Sequence, residues 1–216
     1  KNKQSVTDYI IYMLVVDNMT NLEMFAELVE DAPNVTVRLE HVLMKYRREI
    51  LKRTRFPLVF KAEDYISPKK NHWFFIFRAN SRKDADAPEI NYACVADSKD
   101  GRYAFMVSRY NDETAILMFA PHLFHRYRER FLEGDTTLKG IDLIKYFFTR
   151  NKTFSSDESV EDKLVINTSC EDGVCLGEEM DKNFIVQKTF LSYEMLRGRQ
   201  IDVHESLYDS LHENDN

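Results

Sequence analysis

Glycine and cysteine are both scarce in this chain of 216 residues, which holds six of the first and three of the second. Phosphate-cradling loops, dinucleotide-binding turns and nucleophile elbows all need glycines at fixed offsets, and none of those patterns occurs. Nucleoside-triphosphatase, Rossmann oxidoreductase and esterase chemistry therefore have no support in the sequence. Cys94, Cys170 and Cys175 are too few, and odd in number, for a disulfide framework, which favours a reducing compartment. Long apolar runs are also missing: the longest, Tyr9 to Val16, is about half of what crosses a bilayer as a helix, so no membrane span is expected. The start of the chain lacks the basic lead and small-residue cleavage site of a secretory signal, and a cytoplasmic location is the expectation. There is no excess of positive charge either. A net charge of −6 argues against a general nucleic-acid or membrane-surface binder, although a local basic patch can exist inside an acidic total.

What is present fits a packed interior. Hydrophobic residues make up 44% and aromatics 12%, enough to fill a core, and the length suits one domain, which we place at residues 1–213. Val6 to Glu30 keeps helical spacing with a break near Asn18, and both pieces are expected to face the core. Asn34 then reads as the cap of a second helix carrying Leu39, Val42, Leu43, Tyr46 and Ile50, stopped by Pro57. Its last turns hold Lys45, Arg47, Arg48, Lys52, Arg53 and Arg55. Cations complement a helix C-terminus, so a solvated, well-terminated helix accounts for them as readily as a polyanion-binding ridge does.

From Pro57 the period becomes extended. Leu58 to Phe60 reads as a short strand, and His72 to Ala79 as a central one, with Trp73, Phe75 and Phe77 on one face and Phe74 and Ile76 on the other. After a charged loop over 78–88, Ile90 to Asp97, Arg102 to Tyr110 and Thr114 to Ala120 follow one another through short turns, as in an antiparallel meander. Leu138 to Arg150 resumes as helix. Asn151 to Asp162 is polar and reads as a mobile loop or insertion. Lys163 to Ser169 and Val174 to Glu178 form a hairpin through Glu171-Asp172-Gly173, Asn183 to Phe190 adds a strand, and Ser192 to Leu211 reads as helix. These later strands either extend the first sheet or build a second. Over residues 155–216, acids outnumber bases by about three to one, a counterweight to the basic helix. The fold class expected is α+β, with N-terminal helices packed on a largely antiparallel sheet and further helices after the central meander.

The most chemically loaded stretch runs from Thr114 through Pro121 to Leu132. Proline suits the first helical position, so an abrupt strand-to-helix junction is expected at Pro121. At about 100° per residue, Leu123, Phe124, Tyr127 and Phe131 share one side while His122, Arg126 and Glu129 lie opposite, flanked by His125 and Arg130. A helix N-terminus with nearby cations can hold an anion, and imidazoles can move protons near neutral pH. The sequence thus nominates His122, His125 and Arg126 as catalytic candidates, with Arg102, Arg109 and Arg130 as ligand-binding ones. The ligand would carry phosphate, as RNA or a nucleotide does, and a metal-independent ribonuclease can be drawn: one group takes the 2′-hydroxyl proton, another protonates the leaving oxygen, and arginines stabilise the phosphorane.

Two further accounts use the same residues. Glu129 pairing with His125 and Arg126 would make this an ordinary charged helix face. His122, His125 and Glu129 also share a sector that a metal might use, but zinc hydrolases of the helical type place two histidines four apart with Glu after the first, whereas Leu123 stands there; no metal and no cofactor is expected. Gly101 to Val107 approaches the aromatic strand of RNA-recognition motifs, yet Arg102 intrudes and the order of elements differs, so Tyr103, Phe105 and Val107 read as the buried side of a strand. Cys170 and Cys175 come near each other across their turn, as ordinary sheet thiols. Helices before a meander also occur in small metal-independent ribonucleases, a likeness of class only. The competing reading is a non-catalytic interaction module, self-associating or meeting a protein partner, which would show an exposed apolar patch.

Overall fold

A computed structural model describes residues 16–110, 112–161, 163–196 and 201. A 3-10 turn at Val16–Asn18 precedes α1, Asn21–Lys52. Strands follow as β1 (Leu58–Val59), β2 (Glu63–Ile66), β3 (His72–Ala79), β4 (Glu89–Ser98), β5 (Gly101–Tyr110) and β6 (Glu113–Phe119). Then come α2 (Pro121–Arg130) and α3 (Ile141–Arg150). The chain continues with β7 (Ser155–Glu161), β8 (Lys163–Cys170), β9 (Gly173–Asp181) and β10 (Phe184–Ser192). The expected helix at 6–15 lies outside the described residues, as does most of the expected tail helix, of which Tyr193–Met195 is a 3-10 turn.

The strands form one sheet in the order β1-β3-β4-β5-β6-β10-β9-β8-β7, with β2 also pairing β3. Every pairing is antiparallel except that of β10 with β6. The late strands thus extend the first sheet. Alternation along β3 is what makes the sheet two-sided. Trp73, Phe75 and Phe77 join Cys94, Phe105, Ile116 and Met118 under α1, which contributes Met24, Leu28, Val35, Val42 and Tyr46. Phe74 and Ile76 join Val95, Ala104, Leu117 and Phe119 on the other face, covered by Leu123, Phe124 and Tyr127 of α2 and by Leu143, Ile144, Phe147 and Phe148 of α3.

Two expectations are corrected. Asn34 caps nothing: α1 runs unbroken from Asn21 to Lys52 through Pro33, and its N-terminus is capped by Thr20 and Glu23 in a reciprocal box. Pro33 is exposed, and Asn34 instead donates to the Asp31 carboxylate at 3.0 Å. Most of the polar stretch expected as a loop at 151–162 is a strand instead. Ser155 to Glu161 is the outermost strand, paired residue by residue with β8, since backbone pairing at a sheet edge needs no apolar side chains. All three cysteines are buried free thiols. Cys175 pairs in register with Thr168 and Cys170 with Gly173, so the two are staggered, not opposed.

Candidate functional site

The junction forms where the sequence puts it. β6 ends at Phe119, Ala120 donates its N–H to the Gln187 carbonyl at 3.0 Å, and Pro121 opens α2 with no side-chain cap. Leu123, Phe124 and Tyr127 are buried, while His122, His125 and Glu129 are exposed. The exposed face is tied together within the helix. Arg126 Nη1 reaches Glu129 at 2.6 Å, His125 Nε2 lies 2.9 Å from Glu129, and Arg126 Nε donates to His122 Nε2 at 3.1 Å. The hydrogen bond from Arg126, before the helix's other charges, holds the Glu129 carboxyl below its ordinary range.

The six residues nominated from the sequence do not all meet. Arg130 turns inward, donating to the Phe190 carbonyl and so fastening α2 to β10. Arg109 sits by the β5–β6 turn beside Asp112, about 23 Å along the strand from Arg102 at a rise of roughly 3.3 Å per residue. His122 and Arg126 face each other on the outer side of α2.

Arg102 and His125 do come together. They line a cavity of about 180 Å³ with Gly101, Pro121, Arg128 and Gly140, floored by side chains of the helical layer. The first turns of α2 and α3 border the cavity. Neither N-cap, Ala120 nor Gly140, supplies a side-chain hydrogen bond, and the positive dipole ends of two helices stand at one opening. Pro121 has no N–H, the Leu123 and Asp142 N–H groups go to the Ala120 and Lys139 carbonyls, and the Asp142 carboxylate lies in the first turn of α3. Two of the few glycines make this closeness feasible. Gly140 has φ +53° and a side chain there would meet the Arg102 guanidinium; Gly101 has φ +125° and a Cβ would lie 3.0 Å from Pro121.

Arg102 is steadied by Asp97, with Nε 2.5 Å from its carboxylate. Arg128, which the sequence reading left out, donates Nη2 to the Leu138 carbonyl at 2.9 Å, while its Nε is buried with no hydrogen-bond partner. The signal for Arg128 is weak in sequence, because it depends on the 131–140 connection folding back over α2. Among the described residues no three His, Cys, Asp or Glu side chains converge as a metal ion would need, and no helix is long and apolar enough to cross a membrane. Three cationic or titratable side chains and two uncapped helix ends thus surround one small opening, an arrangement suited to holding an anion. The chain matches no protein-family model, no curated protein and no solved structure.

Proposed function

We propose that the protein binds a phosphate-bearing ligand, a nucleotide or an RNA, in the cavity between the first turns of α2 and α3. The observation that carries this reading is the convergence of Arg102, Arg128 and His125 on two uncapped helix N-termini. Backbone N–H groups and helix dipoles attract oxyanions, and an arginine with an unused buried donor gains an acceptor when one binds. Binding is the part best supported. His125 is the imidazole beside the cavity, so any cleavage of RNA would run through it as the proton-moving group, with His122 outside.

Calorimetric titration with inorganic phosphate, AMP and a short single-stranded RNA tests this. Saturable binding is expected, weakening as salt rises. Arg102→Gln should lose about tenfold or more in affinity, the weight of one charge-assisted hydrogen bond. No binding by any of the three, or undiminished binding in the variant, removes the reading. If RNA is cleaved, His125→Ala should abolish turnover and His122→Ala should spare it.

A second reading, the interaction module, is favoured by the outer side of α1. Leu22, Ala26, Pro33, Val37, Met44 and Leu51 fall within about 60° of one another on the helical wheel, opposite the core-facing stripe. Leu22, Val37 and Met44 remain 65%, 67% and 59% exposed, so the row presents large apolar side chains to water along one face of the helix. The occupant we propose is a second copy, antiparallel, because acidic Glu23 and Glu30 stand near one end of α1 and basic Arg48 and Lys52 near the other. Sedimentation should report a dimer that Val37→Glu dissociates; a monomer at the highest soluble concentration would end this idea.

A further inference from the structure

Arg78 continues the row begun by Phe74 and Ile76 on the α3 side of β3, beyond the end of the hydrophobic layer. It is paired in register with Glu89 of β4. An arginine so placed is expected to join that carboxylate, and it does not. Among the described residues no hydrogen bond or ion pair reaches its guanidinium, and its Nε is buried without a partner. The neighbouring acids are engaged elsewhere. Glu89 accepts from Asn80 Nδ2 at 3.0 Å and from Lys152 Nζ at 3.5 Å. Glu171 accepts from the Lys152 and Thr153 amides and the Thr153 hydroxyl. Burial pulls the Arg78 pKa down, opposed by the fields of Glu89 and Glu171.

Beside Arg78 lies a cavity of about 300 Å³, walled by Ile76, Ile90, Lys152, Thr153 and Glu89. This is the small end of the range for ligand pockets. The wall is cationic at Arg78 and Lys152, with Ile76 fully buried beneath it and the Ile90 side chain directed to the α1 face beside Phe77. Asn91 contributes little more, since its amide donates to the carbonyls of Phe148 and Asn151 that end α3. A planar guanidinium fork matches a carboxylate in two parallel hydrogen bonds. Glu89 at the rim disfavours doubly charged anions.

We propose that this cavity binds a small monocarboxylate, with its carboxylate seated on Arg78. The site is separate from the phosphate cavity. Arg78 and Arg102 pair with opposite ends of β4, Glu89 and Asp97, about 27 Å apart at the rise of an extended strand.

The test is thermal denaturation with rising butyrate, benzoate or inorganic phosphate, on the unmutated chain and on Arg78→Met, Arg78→Lys and Arg102→Gln. Any response to phosphate belongs to the other cavity and should persist in Arg78→Met, whereas butyrate or benzoate should raise the melting temperature saturably through Arg78. Arg78→Met should abolish the response, Arg78→Lys should weaken it by about tenfold or more, and Arg102→Gln should leave it intact. Without ligand, Arg78→Met should be at least as stable as the unmutated chain, because it removes an unpaired, partly buried charge. Absence of saturation with butyrate and benzoate, an undiminished response to them in Arg78→Met, or a phosphate response that Arg78→Met abolishes as well each overturns the proposal. Should that variant fail to fold, the Arg78 Nε–H resonance of the unmutated chain decides: a saturable shift with butyrate supports the site, and none refutes it.

Discussion

Asp172 is a carboxylate almost without water, its side chain 3% exposed. Tyr127 donates its hydroxyl to it at 2.7 Å, Arg150 reaches both oxygens through Nε at 2.9 and 3.0 Å, and Asn151 adds an amide at 3.1 Å. These donors come from the middle of α2 and the end of α3, so one side chain in the β8–β9 turn fastens both helices to the sheet. Burial, then the adjacent carboxylate, pushes the Tyr127 phenol far above its ordinary range, which keeps it a donor at any pH where the protein is folded. Tyr127→Phe removes the hydroxyl and keeps the ring packed against Phe147 and Phe190. It should cost about 1.5–3 kcal/mol in urea denaturation, the usual weight of a hydrogen bond to a charged group. A loss below about 0.5 kcal/mol would mean that Arg150 and Asn151 suffice. None of this was legible in the sequence, where Asp172 is one residue of a Glu-Asp-Gly turn. Its partners lie 21 to 45 residues away, and only the tertiary fold brings them to it.

The elements themselves were largely legible, because their side-chain periods are local. β3 was predicted at its observed limits from alternating aromatics, and α2 from a proline followed by an apolar stripe. Reading failed where tertiary packing overrode a local signal. At Pro33 the missing N–H leaves the Val29 carbonyl without its helical bond, which argues for a break, yet the buried row on either side, Leu28, Val35 and Val42, holds the helix on the sheet. Because Pro33 is exposed, Pro33→Ala should stabilise the chain by about 1–3 kcal/mol and raise its melting temperature. A destabilised variant would mean that proline at this position contributes to how α1 packs on the sheet. β7 shows the opposite failure: serines and acids at an edge carry no apolar pattern, and only the register with β8 reveals the strand. The candidate site divides the same way. His125 and Arg102 were visible as residue types near a junction, whereas Arg128 and Arg78 depend on how distant segments close over them.

At the scale of the whole molecule, α1 covers one face of the sheet and α2 with α3 the other, so the fit of α1 decides whether half the core stays dry. That helix is anchored by polar groups as well as apolar ones. Asp31, fully buried, accepts from Trp73 Nε1 and Asn71 Nδ2 at 2.9 Å each. Glu63 takes Arg38 at 2.7 Å and Lys45 at 3.0 Å, both from α1. Burial by itself would raise the Asp31 carboxyl, but hydrogen bonds from Ser67, Asn34, Trp73 and Asn71 outweigh it and hold it below its ordinary 3.8. Glu63 shows the same balance, with Lys45, Tyr46 and Arg38 overcoming burial. A carboxyl whose pKa is lower folded than unfolded stabilises the fold fully above the unfolded value, and that contribution is lost as pH falls through the folded one. Stability should therefore hold steady as pH is lowered from neutrality and decline once it passes below about 4. Asp31→Asn should be less stable at neutral pH, because an amide cannot accept from all these donors, and its decline in acid should be shallower. Urea midpoints at neutral pH and near pH 3 measure both effects, and an acid decline as steep as that of the unmutated chain would show that Asp31 does not set it.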